Sequence, residues 1–101
     1  IDTDWAPVVI ARAARGLRGT SPLSPLQRLV AQDHEQAGDM VGTLCAVIDH
    51  WGEPQRAARA LGVHPNTVRN RLARLTKDPA FDLEDPTVRL ALRLEALVLD
   101  E

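Results

Sequence analysis

The chain has one cysteine, no tyrosine, one phenylalanine and two tryptophans in 101 residues. Cys45, alone, has no partner for an internal disulfide and cannot build a cysteine-rich zinc site. Inside the apolar run 40–48 it reads as a small core residue, which suits a reducing compartment. No uninterrupted apolar stretch approaches the roughly 20 residues a bilayer span needs, and no basic-then-apolar leader opens the chain. The expectation is a soluble, cytoplasmic protein with no membrane partner. Strand signals are also missing: there is no alternating β-branched run and no Asn-Gly or Asp-Gly turn.

Groupings that carry chemistry are equally scarce. His34, His50 and His64 lie in separate segments, with no His-Glu-x-x-His and no glycine loop for a nucleotide. Asp33, His34 and Glu35 would hold a metal only through a tertiary convergence that the sequence does not announce, and Ser21 and Ser24 sit in loop or cap contexts. No catalytic residue, cofactor or metal is therefore expected, and the chain is not read as an enzyme.

What is present is Leu, Ala and Arg in helical periodicity, with an apolar fraction of 45% that suffices for one modest core. The class is all-α, a small helical bundle. Helical spacing runs over 4–17, with Trp5, Val8 and Val9 on one side and Pro7 in the first turn. Gly, Ser and Pro mark 16–25 as a linker. Ser24-Pro25 opens a helix over 25–36 that Gly38 ends, and Asp39 caps the next, over 40–51, which Gly52 closes. Pro54 and Pro65 start two short helices, 54–61 and 65–75, separated by Gly62. Asp85-Pro86 begins a long last helix, 86–99, apolar around most of its circumference, with Glu95 interrupting the apolar side. Such a helix must be covered on more than one side, by this chain or by a partner chain.

Net charge is −2, but its distribution is uneven. Between Gln55 and Lys77 stand Arg56, Arg59, Arg69, Arg71, Arg74 and Lys77 without an acidic residue, a balance of +6 that leaves −8 for the rest. Segregation of this kind suits a surface that meets phosphate, although a solvated helical face would show it too. Within the segment, Ala58 provides the small residue that two closely crossed helices need, and Gly62 suits a turn with positive φ. Ala57, Leu61, Val63, Val68, Leu72 and Leu75 would face a shared core. On the second helix Val68, Leu72 and Leu75 share a sector of about 60°. Asn66, Asn70 and Ala73 lie opposite, flanked by Arg69 and Arg74, and amides and guanidiniums are the groups that pair bidentately with adenine and guanine.

From Leu44 to Leu99 the chain resembles the C-terminal helix-turn-helix of PucR/CdaR-type bacterial transcriptional regulators. The resemblance runs through Thr43-Leu44, Ala57-Ala58, Leu61-Gly-Val-His-Pro-Asn-Thr67, Arg69 to Leu72, Asp82-Leu83, Asp85-Pro86 and Arg89-Leu90. It implies a Fis-like domain that binds double-stranded DNA and regulates transcription, its second helix, about 65–76, in the major groove. Carried onto these positions it implies base contacts from Asn66, Arg69, Asn70 and Arg74. Phosphate contacts fall to Thr67 and Arg71, and to Gln55 and Arg56 at the N-terminus of the preceding helix. His64 is expected as a cap or turn residue. Pro65 stands where many members have Arg, and Asn70 where many have Tyr, so the target sequence is not a relative's. The expected organisation is an N-terminal helix and linker, 1–23, from a missing upstream region that would hold any effector site, followed by the DNA-binding domain, 24–101. A homodimer is expected, through Val98 and Leu99 or the N-terminal helix. A dimerisation or protein-interaction module without DNA binding is the alternative.

Overall fold

The computed structural model describes residues 3–21, 23–35 and 39–99. It is built of six helices and, among the described residues, no strand: α1 (Trp5–Leu17), α2 (Leu26–Glu35), α3 (Met40–Asp49), α4 (Pro54–Leu61), α5 (Pro65–Leu75) and α6 (Pro86–Leu99). The all-α expectation holds, with boundaries displaced by a residue or two. Ser24 caps as anticipated, its Oγ accepting from Leu26 N–H at 3.3 Å, but α2 begins after Pro25. The helix expected to reach residue 51 stops at Asp49, with His50 as its C-cap, so Trp51 stands in the turn before α4. The proposed stop at Gly38 lies outside the described residues.

The central helix is α3, which packs against α2, α4, α5 and α6. Met40 and Leu44 join Leu26, Leu29, Leu75, Phe81, Leu83, Leu92 and Ala96 in one buried cluster. Ala46 and Val47 join Ala57, Ala58 and Val68 in a second. Leu72 lies against both, so the two cores are coupled through one side chain of α5. Buried positions on ten residues of helix thus extend around most of its circumference, and only the side holding Gly42 and Asp49 faces outward.

Two carboxylates fix the start of this helix. Asp39 accepts Gly42 N–H at 2.8 Å. Asp33, near the end of α2, accepts Met40 N–H at 2.8 Å and Val41 N–H at 3.1 Å. Three of the four N–H groups that a helix leaves without an internal partner are thereby satisfied, and α2 is clamped to α3. Gly42 is needed for a related reason, because a Cβ there would overlap the Asp39 carboxylate.

The long last helix is covered by α1, α2 and α3, as its wide apolar arc requires. Asp49 and Arg93 join α3 to α6 by a two-point pair, 2.8 Å from Nε and 3.1 Å from Nη2. Arg28 of α2 pairs with Asp78 beyond α5. Glu95, which breaks the apolar side of α6, accepts Leu23 N–H at 3.0 Å and Ser24 N–H at 3.1 Å. An acidic residue on that face is explained: it anchors the segment that leads into α2.

Burial pushes the Glu95 carboxyl upward, but the Ser24 hydroxyl and the two backbone N–H groups outweigh it and hold the group below its ordinary value of 4.5. A carboxylate with a depressed folded-state pKa adds stability that is complete above the unfolded value and disappears as pH falls through the folded one. Glu95→Gln should therefore cost about 1 kcal/mol at neutral pH, the scale of a lost hydrogen-bond set at a partly exposed site. Thermal melts should show that gap close as the buffer is taken below pH 4.5; a gap constant with pH would show that the charge has no part in the anchor.

Candidate nucleic-acid interface

The segment 54–75 folds into the two crossed helices expected of it. Pro54 occupies the first turn of α4, where its missing N–H costs nothing. Ala57 and Ala58 are both 1% exposed, and their small side chains let α4 approach α3 and α5 closely. The helix ends on Gly62, in the left-handed region at φ 69°, whose N–H is donated to carbonyls of the last turn of α4. Val63 N–H then donates to Ala58 O at 3.0 Å, a closure of the kind that ends helices on glycine. A Cβ at Gly62 would meet open space, so the demand for glycine there is conformational.

His64 is the N-cap of α5, as anticipated. Its Nδ1 accepts Asn66 N–H at 3.0 Å, and Pro65 occupies the first helical position. The imidazole accepts through Nδ1, which assigns its ring proton to Nε2. Val68 and Leu75 are buried and Leu72 half-buried, so the inner sector of α5 is the expected one.

The opposite edge is open. Asn66, Arg69, Asn70, Ala73 and Arg74 are all exposed. Asn66, Asn70 and Arg74 follow one another at four-residue spacing, about 6 Å per step and about 12 Å in all, the length of three to four base pairs. Arg69 also lines a cleft of about 360 Å³ between the end of α3 and the start of α4, walled by Val47, Trp51, Pro54 and Leu72. Gln55 and Arg56 are exposed in the first turn of α4, where backbone N–H groups point out of the helix. Arg56 has Glu53 as an ion-pair neighbour at 3.7 Å, a weak surface contact.

Thr67 and Arg71 sit on the other flank of α5 and are half-buried. Arg71 donates from Nη1 to Thr43 Oγ1 at 3.1 Å, and Thr43 in turn donates to Asp39 O at 2.6 Å. Thr43 is 1% exposed, a polar residue buried in the core. One bond does not exhaust a guanidinium with five donors, but it does tie Arg71 to α3.

Two contacts beside the site were absent from the sequence reading. Trp51 is stacked by the Arg89 guanidinium, 4.2 Å from the ring centroid. Arg89 also donates from Nη1 to Leu83 O at 2.6 Å, which fixes the loop between α5 and α6. Trp51 and Arg89 are far apart in sequence and on different elements, and the bond to Leu83 spans the start of α6, so no periodicity announces either contact. Among the described residues no group of three or more His, Cys, Asp or Glu side chains gathers into a metal-binding cluster.

An acid-free, arginine-rich edge on the second of two crossed helices, closed by a left-handed glycine, narrows the relationship. The family model described as the PucR C-terminal helix-turn-helix domain matches residues 40–98. The chain belongs to this family. A PucR C-terminal domain is a DNA-binding domain of the regulator type and not an enzyme. Among relatives, an uncharacterized protein from the pkwA 5′ region of Thermomonospora curvata is 33% identical over 110 residues, covering 90% of this chain and 61% of that protein. An uncharacterized protein of Mycobacterium tuberculosis is 42% identical over 59 residues, 58% of this chain and 14% of its own length; a Mycobacterium bovis protein matches to the same extent. The chain thus spans about three fifths of the first relative and a small part of the mycobacterial ones. No solved structure matches. No helix among the described residues is long and apolar enough to cross a membrane.

Replacing His64 by Ala removes the cap of α5 and should cost about 1 kcal/mol of stability, while His64→Ser should restore most of it. Paired urea titrations of the two variants check this; equal losses would mean that the ring acts by packing and not by its lone pair.

Proposed function

We propose that the chain is the sequence-specific DNA-binding domain of a cytoplasmic transcriptional regulator, with α5 laid in the major groove. The observation that carries this is the exposed edge of α5, where Asn66, Arg69, Asn70 and Arg74 project from a segment of +6 charge with no acidic residue. In this reading Asn66, Asn70, Arg69 and Arg74 meet base edges, the amides suiting adenine and the guanidiniums guanine. Thr67 and Arg71 on the inner flank, and Gln55 and Arg56 at the first turn of α4, meet phosphates and set the register of the helix on the duplex. The −8 carried by the remainder of the chain favours one approach, because the acidic surface is repelled by DNA while the α4–α5 edge is drawn to it.

Arg71 has two tasks in this scheme. Its bond to Thr43 holds the guanidinium against α3, and its remaining donors serve a phosphate. A single α5 edge reads only a few base pairs, so two copies on a two-fold site lengthen the sequence that is recognised. The domain begins near residue 24, with 1–23 as the connection to an upstream region that would hold any effector site.

Fluorescence titrations against a preferred duplex and a scrambled one, over a range of salt, separate the roles. Arg69→Ala should cost roughly 1–3 kcal/mol of discrimination between the duplexes. Arg71→Ala should weaken both alike and lower the salt slope by about one unit, with thermal melts run alongside to correct for the Thr43 bond. Unchanged preference in the first variant and an unchanged salt slope in the second would overturn the assignment.

A further inference from the structure

Arg71 stands between the two faces of α5. At 100° per residue it lies about 40° from the buried Leu75 and about 60° from the exposed Arg74. A long side chain at such a position can turn toward the core or toward the open edge. Several rotatable bonds must be fixed before it holds a ligand oxygen. What fixes them here is Thr43, in the first turn of α3, whose Oγ1 accepts from Arg71 Nη1 at 3.1 Å.

The chemistry of Thr43 suits this role. Its hydroxyl proton is given to Asp39 O at 2.6 Å, one turn back, so Oγ1 presents only lone pairs to Arg71. A guanidinium has only donors to offer, and the polarity of the bond is settled. The same back-bond to Asp39 holds the Thr43 side chain in one rotamer. Asp39 is fixed in turn, since its carboxylate accepts Gly42 N–H, and Asp33 secures Met40 and Val41 beside it. Arg71 is thus joined through Thr43 to the clamped end of α3. No side chain among the described residues holds Arg69 or Arg74 in this way.

We propose, resting on the DNA reading above, that Thr43 is a positioning residue for phosphate binding. At 1% exposure it is out of reach of a duplex, and it acts by setting Arg71 in place before the duplex arrives. Ordering a side chain in advance removes part of the cost of binding, so the buried hydroxyl raises affinity through Arg71. The other donors of the guanidinium are left for the phosphate. A phosphate carries no sequence information, so the gain is the same for preferred and scrambled duplexes.

A double-mutant cycle tests this, read by fluorescence titration of the whole chain against a duplex selected from a random pool and a scrambled one. Thr43→Val keeps the volume and removes the acceptor. Asp39 O retains its bond from Thr43 N–H at 3.0 Å, so that carbonyl is not stranded. Thr43→Val should weaken binding to both duplexes about three- to tenfold, and Thr43→Ser should keep most of the affinity. In an Arg71→Ala chain the same Thr43→Val exchange should change affinity by less than about twofold, since nothing is left to position. Thermal melts run alongside keep every titration within the folded range. A loss that persists undiminished in the Arg71→Ala chain would show that Thr43 acts through the fold at large and would overturn the proposal. Should Thr43→Val not fold, the side-chain N–H signals of Arg71 in the free wild-type chain decide. Slower exchange with solvent than at Arg69 and Arg74 supports the hold, and equal exchange overturns it. A wild-type chain that binds neither duplex sinks the DNA reading and the positioning with it. Binding that is indifferent to Thr43→Val sinks the positioning alone.

Discussion

The structure depends on α3 being buried on two sides at once. Ten residues supply Met40 and Leu44 to the core shared with α2 and α6, and Ala46 and Val47 to the core shared with α4 and α5. A short helix is not stable by itself, and packing must supply what propensity does not. Here the requirement is met at both ends of the element. Asp33 and Asp39 satisfy its N-terminal donors, and Asp49 anchors it to α6 through Arg93. Helices α4 and α5 are held against a support that is fixed on every side but one.

From that support the orientation of α5 follows. Val68 and Leu75 bind it to α3 and the loop residues, Leu72 couples the two clusters, and Thr43 reaches across to Arg71. Rotation of α5 about its axis would expose three apolar side chains and break this bond. At about 25 cal/mol per Å² of apolar surface, exposure of even one such side chain costs on the order of 1.5–3 kcal/mol. The outward set is therefore determined by the inward one. Asn66, Arg69, Asn70 and Arg74 are thus placed by the packing of the inner face, and Arg71 is held in addition by its bond to Thr43.

This is why the helix-turn-helix was so legible in the sequence. Ala57, Ala58, Gly62, Val68 and Leu75 obey local rules of spacing, crossing and turn geometry, and each is where those rules put it. The caps of α3 and α5 were legible for the same reason, since Asp39 and His64 act on residues two or three positions away. What escaped was non-local. Glu95 looked like a fault in an apolar helix until the backbone 71 and 72 positions earlier came to lie on its oxygens. Trp51 was expected as the last residue of a helix over 40–51 and stands instead in a turn under Arg89. Trp5, Val8 and Val9 of α1 were illegible in another way: they stand exposed, and amphipathic spacing shows that a face is apolar, not that the chain covers it.

The central claim is that the open edge of α5, with the first turn of α4 beside it, is the surface that meets DNA. Amide chemical-shift mapping of the labelled chain during titration with a duplex selected from a random pool tests it most directly. The account predicts saturable shifts at Asn66, Arg69, Asn70 and Arg74 and in the first turn of α4, with α6 and the outer side of α2 unmoved. Shifts centred on α1 or α6, with α5 silent, would contradict it.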